Sequence, residues 1–222
     1  MITRRKLLGL FTAAVANTAM PAAGAQPDIA SSPEDVLMPH MRQVFGVDTF
    51  VLLDKPTARL KYIDQGRVVM DVPTLLGRQK GDDEQTTPLA TPSGIFANSM
   101  LMRDDKEYKK LGGTVFAFNC KPDMSFCYSV HSLYQGNPKE NRYSRLVSPT
   151  VEDNFISHGC PNVFADDFKR LKSHLNQYQA KFGQMPYVVI TPQNQSDLAA
   201  FIQKNFAGNN GLGRQDKLSS NY

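Results

Sequence analysis

From Thr49 onward the apolar positions alternate with polar ones or form short unbroken runs, the spacing of β-strands. Phe50-Val51-Leu52-Leu53-Asp54 predicts one strand and Lys55-Pro56-Thr57 a turn. Arg59-Leu60-Lys61-Tyr62-Ile63 alternates as a second strand, Asp64-Gln65-Gly66 turns, and residues 67–76 predict a third strand closed by Gly77. Residues 81–88 read as a polar loop. Pro92-Ser93-Gly94 then predicts a turn feeding a strand at Ile95-Phe96. A charged run at 104–110 predicts a solvated helical turn, and residues 114–118 and 125–130 are strong strand runs.

Three segments carry the helical period instead. Ser31 or Ser32 supplies a capping hydroxyl, Pro33 suits a first turn, and Glu34 and Asp35 sit at the positive end. Val36, Leu37, Met41, Val44 and Phe45 form its apolar face, and Gly46 stops it. Phe164, Phe168, Leu171 and Leu175 predict a longer helix over about 165–182, ended by Gly183. A return strand follows at 186–190, then a last helix over about 197–206 and a frayed tail from Gly208. His40 and His174 fall on helices and read as surface or packing residues. Residues 133–155, rich in Gly, Pro, Asn and charge, read as a long loop. The pattern as a whole predicts an α+β domain, mainly β with helices, and shows no internal repeat.

The first 25 residues do not belong to that pattern. Arg4-Arg5-Lys6 precedes a modest apolar stretch, and Ala23-Gly24-Ala25 reads as a small-residue cleavage site. Twin arginines suit a Tat-type export signal, with a Sec route as the alternative. The stretch is short for a membrane span, which needs roughly 20 apolar residues, so no anchor is expected after cleavage, placed after Ala25. The predicted destination is the periplasm. The expected organisation is a signal at 1–25, a lead-in and short helix at 26–48, a catalytic domain at 49–193, and a C-terminal helix and tail at 194–222. Signal removal also changes the charge. The chain carries 25 Lys and Arg against 21 Asp and Glu; without Arg4, Arg5 and Lys6 the balance is 22 against 21. A nearly neutral mature chain gives no reason to expect nucleic acid as a partner.

Three cysteines, Cys120, Cys127 and Cys160, leave one unpaired in an oxidising compartment. Cys120 and Cys127 flank Lys121-Pro122-Asp123-Met124 and could pair across a hairpin; two small buried thiols are the equal alternative. Cys160 is the natural free thiol. No C-x-x-C or H-x-x-x-H pair supports a metal site, and no cofactor is expected. Cys160 lies in Ser157-His158-Gly159-Cys160-Pro161-Asn162, and a second histidine, His131, lies upstream in a strand-like run. A thiol nucleophile needs a base or a positive neighbour. A lone Cys beside a turn is most simply structural, but this string is more specific.

The string resembles the active-site signature of the L,D-transpeptidases, peptidoglycan cysteine transpeptidases: an upstream His, a gap, then Ser or Thr, His, Gly, Cys, an apolar residue, and Asn or Arg. The pattern falls on His131, Ser157, His158, Gly159, Cys160, Pro161 and Asn162. Thr91-Pro92-Ser93-Gly94-Ile95-Phe96 also resembles the family's TPxGxF element. Two departures stand out: Pro161, and a gap of residues 132–156 that is longer than usual. The resemblance covers about residues 49–191. It implies a β-sandwich of mixed sheets with a helix after the Cys loop.

It also implies roles. Cys160 attacks a carbonyl and holds the acyl group as a thioester. His131 is the expected base, with His158 the second choice. Ser132, or a backbone carbonyl in its place, orients the ring. Gly159 and Cys160 N–H groups are the expected oxyanion donors, while Ser157 and Asn162 shape the loop or pocket. The helix that follows is expected to help lower the thiol pKa. The implied substrate is a peptidoglycan tetrapeptide stem losing D-Ala. The acceptor is an amine of another stem, a D-amino acid or a protein lysine. The long loop reads as a flap, and Arg142 or Arg145 on it as a contact for stem carboxylates, or else as solvated surface charge. Two rivals stand beside this reading: a carboxypeptidase or amidase-type hydrolase on the same scaffold, and a non-catalytic wall-binding protein.

Overall fold

In a computed structural model, residues 31–207 other than 84 and 105 are described. The expected signal, its cleavage site, most of the lead-in and the tail from Gly208 lie outside the described residues. The described residues open with helix α1 (Pro33–His40). The Ser32 hydroxyl accepts from the Asp35 N–H, as the capping pattern predicts. The helix continues into a wider turn, Met41–Phe45, stopped by Gly46 in the left-handed region (φ 67°).

Strands β1 (Phe50–Asp54), β2 (Arg59–Asp64) and β3 (Arg67–Pro73) form the expected meander, followed by β4 (Leu76–Gly77) and β5 (Gly94–Phe96). Next come β6 (Met100–Arg103), β7 (Thr114–Phe118) and β8 (Tyr128–Ser132). Helix α2 (Arg142–Leu146) precedes β9 (Phe155–Ser157) and β10 (Asn162–Val163). Helix α3 (Ala165–Phe182), β11 (Tyr187–Ile190) and helix α4 (Leu198–Phe206) complete the described chain.

Among the described residues, three sheets result. One has the order β3-β2-β1-β11-β5, a second the order β10-β8-β7-β6, and β4 pairs with β9. Because β1 pairs antiparallel with β2 but parallel with β11, the first sheet is mixed. The fold class is α+β, with mixed sheets and a helix directly after the Cys160 loop.

The unbroken apolar run of β1 has a physical cause: both faces of its sheet are buried. Val51 and Leu53 face a core shared with Leu60, Tyr62, Val188 and Ile190, and with Phe116, Phe118 and Val130 of the second sheet. Phe168, Leu171 and Leu175 of α3 close that core. Phe50 and Leu52 point the other way, into a core with Leu37, Met41, Val189, Leu198, Phe201 and Phe206. The two terminal helices therefore share one core on the back of the sheet. Lys61 falls on that back face and pairs with Glu34 of α1 at 2.7 Å, tying helix to sheet. His40 packs on Phe206, and His174 stacks on Tyr62.

Two expectations change. The run at 125–130 becomes a strand only from Tyr128, because Cys120 and Cys127 are joined by a disulfide (S–S 2.06 Å) that closes residues 121–126 into a turn. The stretch 133–155 is not a structureless loop. It holds short helical turns at Pro138–Glu140 and Val151–Asn154 around α2. Leu146 is its apolar anchor, with 1% of its surface exposed.

Candidate active site

The site is built where β10 lies parallel to β8. That pairing sets Asn162 opposite His131 and Val163 opposite Ser132. Directly paired residues put their side chains on the same face, so the register alone brings the Asn162 amide to the His131 ring. The Cys160 loop is clipped down on both sides. His131 N–H donates to Pro161 O at 3.2 Å, and Leu75 and Asn162 exchange N–H···O bonds of 2.8 and 2.9 Å. Thr74 Oγ1 adds a 3.0 Å bond to Asn162 O.

Gly159 takes the sharp bend before the nucleophile at φ +105°. A Cβ there would lie 2.6 Å from the Tyr128 ring and 3.0 Å from Ala90 O. Its carbonyl accepts from Thr91 Oγ1 at 2.8 Å, and Thr91 Oγ1 accepts from the Gly77 N–H at 2.9 Å. Lys55 holds this corner from behind. Its buried ammonium reaches Gly81 O, Thr91 O and Asp82 Oδ1 at 2.8, 2.9 and 2.5 Å. Burial pushes its pKa down, against the opposing pull of Asp82.

His131 is buried. Its Nδ1 lies 2.6 Å from Ser132 O, so Nδ1 carries the proton. Nε2 lies 3.3 Å from Asn162 Nδ2, which also donates to Cys160 O at 2.8 Å. Ser132 thus orients the ring through its backbone carbonyl. Cys160 is half-buried, with Sγ 3.8 Å from the Ser129 hydroxyl. Among the described residues, no hydrogen bond joins the His131 ring to Cys160 Sγ.

The other predicted positions divide. Ser157 is buried and its Oγ accepts from the Gly159 N–H at 3.1 Å. That bond occupies the Gly159 donor, so the expected oxyanion role does not fit Gly159, whose contribution is the bend. His158 is exposed on the turn. Arg142, expected on a solvated flap, is buried. Its Nε donates to Glu140 Oε2 at 2.7 Å, its Nη1 to Asn162 Oδ1, and its guanidinium lies 5.0 Å from the Tyr134 ring centre. Arg145 donates to Glu140 O and Asp153 O at 3.0 and 3.2 Å. Both arginines therefore hold protein partners in the resting site. Ser129 was missed, although its two-residue spacing from His131 places both on one face of a strand. Thr91 was read only as part of a turn; its hydroxyl in fact braces Gly159. A cavity of about 620 Å³ is lined by Lys80, Asp82, Val151, Glu152, Phe155 and Gln193 among others, and none of the catalytic candidates lines it.

Burial sets the protonation states. It pushes His131 down to about 4, with the Ser132 carbonyl opposing and the Arg142 charge adding to the fall. Burial pushes the Cys160 thiol up, and the Ser129 hydrogen bonds and the Arg142 charge do not cancel it. The expected lowering of the thiol is thus reversed in the resting site. At neutral pH the pair is thiol and neutral imidazole, not thiolate and imidazolium.

Two outcomes follow from those directions. Iodoacetamide alkylation of Cys160 should keep rising above pH 8.5 and show no step between pH 5 and 7. A step near pH 6 in the rate profile would mean an imidazolium–thiolate pair. Stability should also respond to acid. Unfolded, the ring binds its proton near 6.5, and folded only near about 4. Between these values the unfolded chain holds the extra proton, so stability falls as pH falls, by about 3 kcal/mol across the window. Urea midpoints of wild type and His131→Gln should diverge in slope over that range; parallel slopes would remove His131 as the cause.

No protein-family model matches the chain, and no curated protein matches it. Among solved structures, the chain overlaps an Ldtfm–avibactam carbamoyl enzyme at 13% identity and TM-score 0.40, covering 67% of this chain and 50% of that one. It overlaps an L,D-transpeptidase from Stackebrandtia nassauensis at 16% identity and TM-score 0.39, covering 67% and 58%. An L,D-transpeptidase from Mycobacterium smegmatis overlaps at 16% identity and TM-score 0.35, covering 65% and 58%. The chain thus spans half to three fifths of the length of these structures, and over that span it is similar to L,D-transpeptidases.

Proposed function

We propose that the chain is an exported cysteine acyltransferase of L,D-transpeptidase type, acting on peptidoglycan tetrapeptide stems. The observation that carries the reading is the β8–β10 register, which holds a neutral, Nδ1-protonated imidazole beside the loop of the free thiol. In the proposed reaction, Cys160 Sγ attacks the carbonyl joining diaminopimelate to the terminal D-Ala. His131 Nε2 takes the thiol proton once the Asn162 amide releases that lone pair. The same proton passes to the leaving nitrogen, D-Ala departs, and the acyl group remains as a thioester. The Cys160 N–H is the proposed oxyanion donor. An acceptor amine then attacks the thioester and restores the thiol. Export is proposed from residues 1–25, with the mature chain working in the periplasm on stem peptides and an amine acceptor.

The test is product analysis on a disaccharide tetrapeptide with and without an added D-amino acid. D-Ala release together with an exchanged or cross-linked stem is the expected result. Release giving only the free acid would make the protein a hydrolase on the same scaffold. No D-Ala release under either condition would sink the reading.

A further inference from the structure

Arg142 lies outside the motif, on α2 within the long stretch between His131 and Cys160. We infer that Arg142 is a positioning residue: by holding Asn162 Oδ1 it turns the Asn162 amide so that Nδ2 faces His131 Nε2, selecting the Nδ1–H tautomer of the ring. The inference gains its consequence for rate from the proposed role of His131 as base, but its structural content does not depend on that role.

A guanidinium has five N–H donors and no acceptor. Where its Nη1 meets the Asn162 side chain, the atom it meets must be the oxygen. The other end of the amide is then NH2, and it reaches both Cys160 O at 2.8 Å and His131 Nε2 at 3.3 Å. A donor facing Nε2 requires a lone pair there, so the ring proton sits on Nδ1, where Ser132 O accepts it at 2.6 Å. A reversed amide would set its oxygen against Cys160 O and its NH2 against the guanidinium, leaving Arg142 without an acceptor. Cys160 O and Ser132 O favour the same amide orientation and the same tautomer, and the Arg142 contact adds to both.

Arg142 is itself held. Glu140 Oε2 takes its Nε at 2.7 Å, and Arg78 lies 3.7 Å from the other oxygen of Glu140. Tyr134 stacks against the guanidinium. Among the described residues, Arg142 from α2 is the charged group that acts on the ring, with Glu140 and Arg78 behind it. The buried face of α3 carries Phe168, Leu171 and Leu175 in the apolar core shared with Val130 and Val163. The positive charge of Arg142 also disfavours a protonated ring.

The test reads the ring directly, by 15N NMR of histidine in wild type and Arg142→Gln across pH 3.5–8. In wild type the Nδ1–H tautomer should dominate. Glutamine can present either an oxygen or an NH2 to Asn162, so Arg142→Gln should give mixed tautomers and a higher ring titration midpoint. kcat/KM should fall on the order of tenfold or more through kcat, as expected for a displaced base. A folded Arg142→Gln with an unchanged tautomer and midpoint would overturn the inference. So would a rise in KM alone, which would return Arg142 to reading substrate.

If Arg142→Gln does not fold, Asn162→Asp decides. A carboxylate has only acceptors, so Nε2 would have to carry a proton and the ring should become doubly protonated at neutral pH. A ring still neutral with Nδ1–H in that variant would overturn the inference equally. Absence of turnover in wild type would count against the proposed function alone, since the ring measurement needs no substrate.

Discussion

Cys160→Ala is expected to abolish both stem turnover and any covalent carbapenem adduct. Removing a covalent nucleophile takes away the acyl intermediate itself, and losses of roughly 10⁴ or more in kcat are the usual scale. The prediction is sharp here because Cys160 is the one free thiol among the described residues, with Cys120 and Cys127 joined to each other. Intact-protein mass spectrometry after carbapenem treatment gives the readout. The double variant Cys120→Ser/Cys127→Ser is the control and should retain the adduct on a correctly folded chain. An adduct that survives in Cys160→Ala would remove the proposed mechanism.

Gly159→Ala is expected to destabilise the protein and to slow the thiol, although it alters no reacting group. Two costs combine. At φ +105° an L side chain is strained, and the added Cβ would meet the Tyr128 ring at 2.6 Å and Ala90 O at 3.0 Å. Ala90 O is backbone, and Tyr128 is itself wedged against Phe118 and Phe126. Neither neighbour can move without disturbing the core or the disulfide turn. Together these suggest a loss of roughly 2–5 kcal/mol. A carbapenem adduct should form more slowly even in the folded fraction, because the bend aims Cys160. Denaturant midpoints and adduct rates measure the two effects separately. A midpoint within about 0.5 kcal/mol of wild type would show that the loop relaxes freely.

The same corner shows why the long stretch before Cys160 matters. Its length suggested a mobile flap, and its charges suggested a surface that reads carboxylates. Folded, it places Arg142 underneath the site, with its guanidinium on Asn162 and Glu140. Arg145 pins the same turn through the Glu140 and Asp153 carbonyls. The charge was visible in the sequence. Its direction was not, because a five-residue helix gives too little periodicity to say which way an arginine faces.

Local patterns determined much of the rest. Helix α3 runs over the span that its apolar spacing and Gly183 predicted, since Phe168, Leu171 and Leu175 must face a common core. Strands β1, β2 and β7 follow from unbroken or alternating apolar runs for the same reason. Short elements were illegible: β6 carries the half-buried Met100, Leu101 and Met102 at a sheet edge, and β4, β9 and β10 have two or three residues each. Strands that short have no period of their own and exist because a partner is already in place.

By itself, the sequence determined the chemical inventory: a free thiol in a Ser-His-Gly-Cys-Pro-Asn turn, a strand-borne histidine upstream, and a chain long enough to bury them. Only the tertiary structure decided how these groups act on one another. The parallel register of β10 on β8 joins residues 31 apart in sequence, so that His131 meets Asn162 rather than His158. Burial, which depends on every element packed around the site, decided that the imidazole and the thiol both rest uncharged.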